Sequence, residues 1–346
     1  MNRTGKAMTS KICPIGTVVV AFNASDVIAG CVESLLAQRH GRPKIVVVDN
    51  ASTDDTVPVI RKWAAKHPEV AFREFASGER PDHADAGDVT LLHSTVNTGF
   101  AGGVNLGLAL LAAMPEIGHF WVLNPDAFAD EDATGGIMAA AARTPGYALM
   151  GGRVCYADPK TRIQIDGGTL NKWTGVSGNV NLGKDADKTP LPRADQLDFI
   201  TGANMVASRR FYETAGPMAE DYFLYYEEAD WAMRRGAMPL VVAPGFTVYH
   251  YAGTAIGSPT LDRMASPFSF WFKYRGRTMF IRRFNPVALP VTLAYAAAKA
   301  AQIALKGARP QAVALMRGAL CMEPPQEVRD RLSPEAQKIA FGRALD

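Results

Sequence analysis

Cysteine is scarce in this 346-residue chain: Cys13, Cys31, Cys155 and Cys321 lie far apart and form no CxxC pair. That excludes a disulfide framework and a cysteine zinc site, and it suits a reducing compartment. The N-terminal stretch MNRTGKAMTSK lacks the apolar run of a secretory signal, so a cytoplasmic location is expected. No GxGxxG and no GK[ST] loop is present, which excludes the dinucleotide fingerprint and the P-loop. Internal repeats of solenoid period are missing too. Acidic residues are absent from one long stretch: Arg263 to Met322 holds ten Lys or Arg and no Asp or Glu. With a net charge of +3 overall, the rest of the chain carries −7. An acidic body with a basic C-terminal segment points to contact with a polyanionic surface, nucleic acid or anionic lipid.

What is present is ordinary globular material, 48% hydrophobic and 21% charged, which excludes wholesale disorder and collagen-like structure. The length admits one large domain or two modest ones. Thr17–Phe22 and Lys44–Asp49 are β-branched runs that read as buried parallel strands. Val27, Ile28, Cys31, Leu35 and Leu36 recur between them at helical spacing, with Ser25 or Asp26 as the N-cap. A helix over Asp55–Lys66, a loop insertion around Gly78–Asp88, a strand at Val89–His93, a helix over Gly103–Ala113 and a strand at His119–Leu123 follow. This order predicts an α/β fold with a mostly parallel sheet covered on both faces. Residues 151–200 read as a hairpin with long loops, with Ile163–Ile165 and Thr169–Trp173 alternating. Helical character returns at Arg209–Ala215 and Glu227–Arg235, and Leu240–Val242 reads as a short strand ahead of a Val248-Tyr249 pair.

Ligands of open parallel sheets bind beyond the carboxyl ends of the strands. Polar clusters stand at four such ends: Asn23, then Asp49-Asn50-Ala51-Ser52, then Asn97 with Gly99, Gly102 and Gly103, then Asn124-Pro125-Asp126. Helix capping alone does not require the same edge each time. The glycines permit close backbone approach and put N–H groups at a helix start, which favours a diphosphate; tight packing of the helix on the sheet explains them equally well. A second acidic cluster, Glu227, Glu228 and Asp230, sits among Tyr222, Phe223, Tyr225, Tyr226 and Trp231. These acids either complement a helix start or supply a general base in a partly desolvated pocket. His250, paired with Asp126, makes a candidate Mg²⁺ or Mn²⁺ site.

The segments VVVAFN, VVDNASTDDT, NTGFAGGVNLG, LNPDA, FITGANMVASRRFYETAG, DYFLYYEEADWAMR and VYHYAG, in unbroken order from residue 15 to about 285, resemble the family 2 glycosyltransferases. The likeness is to the rhamnosyltransferase-like branch that builds bacterial cell-surface polysaccharides. It implies the GT-A fold, with a nucleotide-binding half over 15–126 and an acceptor half over 127–262. Residues 1–14 would be a flexible N-terminus and 263–346 a helical extension. It further implies an inverting, metal-dependent hexosyl transfer from a nucleotide-diphosphate sugar, dTDP-rhamnose or a UDP-sugar, to a glycan or polyprenyl-linked acceptor. By match to the family's motifs, Asp49 binds the nucleobase with Asn23 and Asn50–Ser52 around it. Asn97 and Gly99–Gly103 lie along the ribose and diphosphate. Asp126 is the last acid of the metal motif, with Asn124 in place of the first, and His250 is the metal-side histidine. Glu228 stands at the position of the catalytic base, usually Asp, and Gly276 replaces an Asn after Arg275. Arg275 assists at the leaving group, Glu227 and Asp230 orient the base or hold acceptor hydroxyls, and Thr201, Gly202, Ala203 and Trp231 shape the sugar pocket. Two other readings are a catalytically silent nucleotide-sugar-binding subunit of an assembly complex and a sugar nucleotidyltransferase. The Gly-rich Arg/Lys signature of the latter is missing.

Lys273, Arg275, Arg277, Arg282 and Arg283 interleave with Phe268, Phe270, Trp271, Phe272, Tyr274 and Phe280. The uncharged run Asn285–Ala298 that follows is 14 residues, against the ~20 that cross a bilayer. The expectation is therefore an interfacial anchor over 263–322 on an anionic membrane, at the inner face of the plasma membrane. The competing expectation is a helix pair packed on the catalytic body. No nucleic-acid module accompanies the charge, so a nucleic-acid partner is not expected.

Overall fold

The run Ile15–Ala21 offers no polar face, and all seven residues are buried in a strand, β1. It pairs in parallel with β2 (Lys44–Asp49) on one side and, five elements later, with β5 (His119–Leu123) on the other. Between these lie α1 (Ile28–Leu36), α2 (Thr56–Lys66), β3 (Phe72–Phe75), β4 (Val89–His93) and α3 (Gly99–Ala112). The computed structural model describes residues 13–79, 81–251 and 264–342. Residues 1–12 of the expected flexible N-terminus and the expected boundary at 262 lie outside the described residues.

The chain continues through β6 (Ala127–Ala129), α4 (Ala133–Arg143), β7 (Leu149–Tyr156), β8 (Ile163–Ile165), β9 (Gly168–Leu170) and β10 (Ser177–Asn179). Next come β11 (Asn204–Ser208), α5 (Arg209–Ala215), α6 (Glu227–Met233) and β12 (Leu240–His250). One ten-stranded sheet runs β3-β4-β2-β1-β5-β11-β7-β12-β6, with β8 on β7; β9 and β10 form a separate hairpin. The strands from β3 to β5 are parallel, β11 is antiparallel to both its neighbours, and β12 runs parallel to β7. The expected α/β fold is what forms.

Alternation along the strands explains the two cores. Val18 and Val20 of β1 face α3, while Val19 and Ala21 face α1 with Ile28, Cys31 and Leu35. Gly103 and Gly107 set the distance on the α3 side: a Cβ on either would lie 2.6 Å from a methyl of Val20 or Val18. Four boundaries differ from expectation. α3 starts at Gly99 rather than Gly103. α1 is capped by Val27 without a side-chain bond, because Ser25 N–H donates instead to Asp54 Oδ2 at 3.1 Å. Leu240–Val242 and Val248-Tyr249 belong to one strand with an irregularity between Val242 and Thr247. Strand β9 stops at Leu170, and Trp173 N–H turns to its neighbour Asn171 Oδ1.

Five helices close the chain: α7 (Pro267–Phe284), α8 (Leu289–Leu305), α9 (Arg309–Ala319), α10 (Gln326–Arg329) and α11 (Pro334–Gly342). Ser266 caps α7 through Ser269 N–H, and Pro267 takes the first turn, where its missing donor costs nothing. α7 is buried on most sides, including Phe268, Trp271, Phe272, Tyr274, Arg275, Arg277, Phe280 and Ile281. This corrects the expectation of an aromatic and basic membrane anchor in this helix. Each large apolar side chain gains roughly 1.5–3 kcal/mol by burial, so the aromatic stripe is core. Arg277 is enclosed with it, its guanidinium 4.2 Å from the Tyr274 ring centroid. A short helical turn at Pro286–Ala288 runs into α8, giving a 20-residue helical run to Leu305, long and apolar enough by length and composition to cross a membrane. That exceeds the 14-residue run expected from uncharged residues alone, because Lys299 sits inside the helix without ending it.

Candidate active site

A cavity of about 420 Å³ opens at the carboxyl ends of the parallel strands. Of the residues singled out in the sequence, Asn23, Asn50, Asn97, Gly99, Asn124, Asp126, Thr201, Gly202, Ala203, Glu227, Glu228 and His250 line it. Seven others do not: Asp49, Ser52, Gly102, Gly103, Asp230, Trp231 and Arg275 stand behind the wall.

The sheet-edge wall is a closed hydrogen-bond network. Asn23 sits at φ 52° after β1, donates its N–H to Ser52 Oγ and accepts from Thr53 N–H at 2.8 Å. Asn50 bridges to the start of α3: its Nδ2 donates to Gly99 O at 2.9 Å, and its Oδ1 accepts from Thr98 N–H at 3.0 Å. Gly99 N–H donates to Asn97 Oδ1, and Phe100 N–H donates to Phe223 O. The helix-start donators expected to face a diphosphate are therefore spent on protein acceptors. Packing accounts for the glycines. Gly99 has φ +77° and a Cβ there would lie 2.3 Å from Phe223 O; a Cβ on Gly102 would lie 2.6 Å from the Thr98 side chain. Asp49 is buried, accepting from Ser52 N–H and facing His93 Nδ1 at 3.4 Å. It holds the loop that carries Asn50 and does not itself line the cavity.

At the far end of the sheet, β5 and β12 bring Asp126 and His250 together. His250 Nε2 is 2.9 Å from Asp126 Oδ1 and 3.3 Å from Asn124 Nδ2, and its Nδ1 is 2.7 Å from Gln164 Oε1. With Nδ1–H donating to Gln164, Nε2 presents a lone pair toward a carboxylate oxygen. Two acceptors so placed call for a proton or a cation between them, and a carboxylate with an oriented imidazole suits Mg²⁺ or Mn²⁺ completed by substrate oxygens. Among the described residues no group of three or more His, Cys, Asp or Glu that could hold a metal ion is found.

The third wall comes from the loop 223–226 and α6. Phe223, Tyr225 and Tyr226 all have φ between 64° and 77°, an arrangement that costs roughly 1–3 kcal/mol per residue and needs support. α7 supplies it. The Phe223 ring stacks on Phe272 with centroids 5.2 Å apart, the Tyr225 hydroxyl bonds Ser269 Oγ, and Arg277 Nε donates to the Tyr226 hydroxyl at 3.0 Å. Gly276 is the contact point, since a Cβ there would lie 2.6 Å from Tyr225 O, and this leaves no room for a side chain. Held this way, the loop presents Glu227 and Glu228 to the cavity, and one Oε2 of each has no hydrogen-bond partner among the described residues. Burial pushes the Glu228 carboxyl above the ordinary glutamate range, opposed by the Lys273 charge. Burial and then Glu228 itself push Glu227 well above that range.

The remaining acids and cations face inward. Asp230 accepts from Arg234 Nε at 2.9 Å, Arg283 Nη1 at 2.5 Å and the Tyr222 hydroxyl at 3.1 Å. It braces α6 from behind the cavity wall. Trp231 lies in the core, donating Nε1–H to Gly216 O. Arg275 is fully buried and donates to the carbonyls of Asp221 and Tyr222, so it does not reach a leaving group. Residues not expected at the site also line the cavity: Gln164 behind His250, Phe268 and Lys273, which the sequence reading gave to a membrane anchor, and Arg331 and Leu332 after α10. The alternation Ile163-Gln164-Ile165 marks Gln164 as facing away from the core, but nothing local places it beside a residue 86 positions later.

The family model "Glycosyl transferase family 2" matches residues 17–214. The chain belongs to that family. It is 22% identical over 235 residues to the low-salt glycan biosynthesis hexosyltransferase Agl10 of Haloferax volcanii, covering 67% of this chain and 65% of that protein. A shorter likeness, 35% over 68 residues, links it to a chondroitin synthase of Escherichia coli, of which it covers 10%. The chain thus spans under two thirds of the length of these relatives. Among solved structures it resembles the mannosyltransferase PcManGT of Pyrobaculum calidifontis in complex with GDP-Man and Mn²⁺, with TM-score 0.51 and 17% identity over 89% of this chain and 86% of that one. It also resembles GalNAc-T7 with UDP, GalNAc and Mn²⁺, with TM-score 0.55 and 11% identity over 83% of this chain and 51% of that one. The fold of this family 2 chain is accordingly GT-A.

Proposed function

We propose that this chain is an inverting glycosyltransferase that moves a hexose from a nucleotide-diphosphate donor to a hydroxyl of a glycan or lipid-linked glycan. One observation carries the reading: Asp126, Glu228 and His250, spread over 124 positions of the chain, line one cavity beside an asparagine-framed slot. The bond between anomeric carbon and diphosphate oxygen breaks, and its electron pair leaves with the diphosphate. The acceptor oxygen attacks the opposite face of that carbon and yields its proton to Glu228, a role worth ~10²–10⁴-fold in rate. Two adjacent buried carboxyls do not ionise independently. Glu227 holds its proton longer, leaving Glu228, which feels Lys273, to act as base. Asp126 and His250 would hold a divalent ion, Mg²⁺ or Mn²⁺, whose charge would offset that of a leaving diphosphate. The donors favoured by motif likeness are dTDP-rhamnose and UDP-sugars; GDP-Man is the donor named for the structural relative.

The same reading places the protein on an anionic membrane through α8 and α9. Val287 and Leu305 are 77% and 90% exposed, Val291 and Val313 are exposed too, and Arg282, Lys306 and Arg309 flank them. Apolar side chains rimmed by cations suit an acidic lipid surface. The test of function is a panel of dTDP-, UDP- and GDP-sugars with Mn²⁺, scored by thermal stabilisation and by metal-dependent donor hydrolysis. One donor that stabilises and is slowly hydrolysed supports the reading. Stabilisation without turnover under any acceptor mixture would leave a binding subunit. Co-sedimentation with anionic but not neutral vesicles at low salt tests the membrane contact.

A further inference from the structure

A reaction that releases a diphosphate needs donors aimed at oxyanions, and the groups expected to supply them here are occupied. The N–H groups of Thr98, Gly99 and Phe100 bond Asn50, Asn97 and Phe223. Arg275 lies behind the cavity wall, with its Nη1 on two main-chain carbonyls. The Arg331 guanidinium lies over the Phe268 ring, 4.6 Å from its centroid. Lys273 differs from all of these. It lines the cavity from α7, within the third of the wall that carries Glu228. Among the described residues it makes no hydrogen bond and no ion pair closer than 4 Å, although Glu228 acts on it electrostatically. Its neighbours Phe272 and Tyr274 are buried in separate apolar clusters, which fixes the rotation of the helix that carries it.

Resting on the nucleotide-sugar reading of this cavity, we propose that Lys273 is an oxyanion anchor: its ammonium binds a phosphate-type oxygen of the substrate beside Glu228. An ammonium carries three donors and no acceptor, and all three are unused here. Burying such a charge unpaired is costly, so an arriving anion gains both a hydrogen bond and the relief of that cost. Burial accordingly pulls the Lys273 ammonium below the ordinary lysine range, with Arg277 acting in the same direction. The oxygen belongs either to the donor diphosphate or to an anionic group on the acceptor. The chemistry is shared, and the experiment separates the two sources.

Calorimetric titration of the full chain with Mn²⁺ and dTDP, UDP or GDP reads the donor side. Titration with inorganic pyrophosphate after saturation with the nucleoside diphosphate that binds reads a second anion site. Charge-assisted hydrogen bonds are worth about 1.5–3 kcal/mol, so Lys273→Met should weaken the relevant titration roughly 10–100-fold, with Lys273→Arg recovering much of it. Loss in the first arm assigns the donor diphosphate; loss confined to the second assigns an acceptor anion. Lys273→Met binding every probe as the wild type does, at an unchanged melting temperature, overturns the anchor and leaves the transferase reading intact. A wild type that binds none of the three nucleoside diphosphates overturns that reading instead, and the anchor with it. Should Lys273→Met fail to fold, Lys273→Gln, which keeps a polar tip, serves the same comparison.

Discussion

The sheet-edge wall of the cavity and the wall built by α6 and α7 carry similar atoms in opposite states. Along the sheet edge, Asn23, Asn50 and Asn97 satisfy the loops around them and each other. Across the cavity, Glu227 and Glu228 each keep an oxygen without a partner among the described residues, and the three positive-φ residues before them lean on contacts from α7. A satisfied network fixes geometry and contributes to stability. An unpaired buried polar atom costs about 1–3 kcal/mol and is retained where substrate completes it. On the proposed reaction, one wall is frame and the other is reagent. The same division cuts through α6 itself, where Glu228 opens into the cavity and Asp230, two positions on, is locked between two arginines.

The largest effects should fall on either side of that division. Glu228→Gln keeps the shape and removes the base, so turnover should drop ~10²–10⁴-fold with nucleotide binding and melting temperature held. Near-normal turnover would break the comparison. Asp230→Ala should do the reverse. It strips the partner from Arg234 and Arg283 and should lower stability by roughly 3 kcal/mol, the low end for a broken buried pair because both arginines reach solvent. Chemical denaturation reads that loss, and kcat per folded molecule should survive. A third substitution probes the seam between the walls. Gly99→Ala puts a Cβ against Phe223 O at a positive φ and should cost roughly 1–3 kcal/mol while raising KM, because Phe223 belongs to the loop that presents Glu228.

These contrasts also mark what was legible in the chain. Buried strands such as Thr17–Phe22 announce themselves through β-branched runs, since a strand covered on both faces has no polar register to conceal. The sheet-end clusters were legible for the same reason: strand ends are local. What was not legible is which acid of Glu227, Glu228 and Asp230 turns outward, because that depends on arginines 4 and 53 positions away. The fate of the Lys273–Arg283 cluster was hidden likewise. Basic and aromatic residues in one helix look alike whether they face lipid or clamp a strained loop, and only the contacts to Tyr225 and Tyr226 decide it.

The smallest expected effect separates the walls by pH. A carboxyl whose folded pKa lies above its unfolded value binds its proton more tightly when folded, so its contribution to stability is lost as pH rises from the ordinary glutamate value through the raised one. Glu227 and Glu228 are of this kind, raised first by burial. Glu74, outside the cavity but joined to the sheet-edge wall through His93 and Asp49, is held low, first by its hydrogen bond to Arg61, and loses its contribution as pH falls. The two walls therefore pull the stability maximum in opposite directions. Glu227→Gln should flatten the decline on the alkaline side of the ordinary glutamate value, and Glu74→Gln should flatten the decline on the acid side. Melting temperatures across a pH series read both. If Glu227→Gln leaves the alkaline side unchanged, the second wall is no more charged-state sensitive than the first, and the division between frame and reagent loses its electrostatic basis.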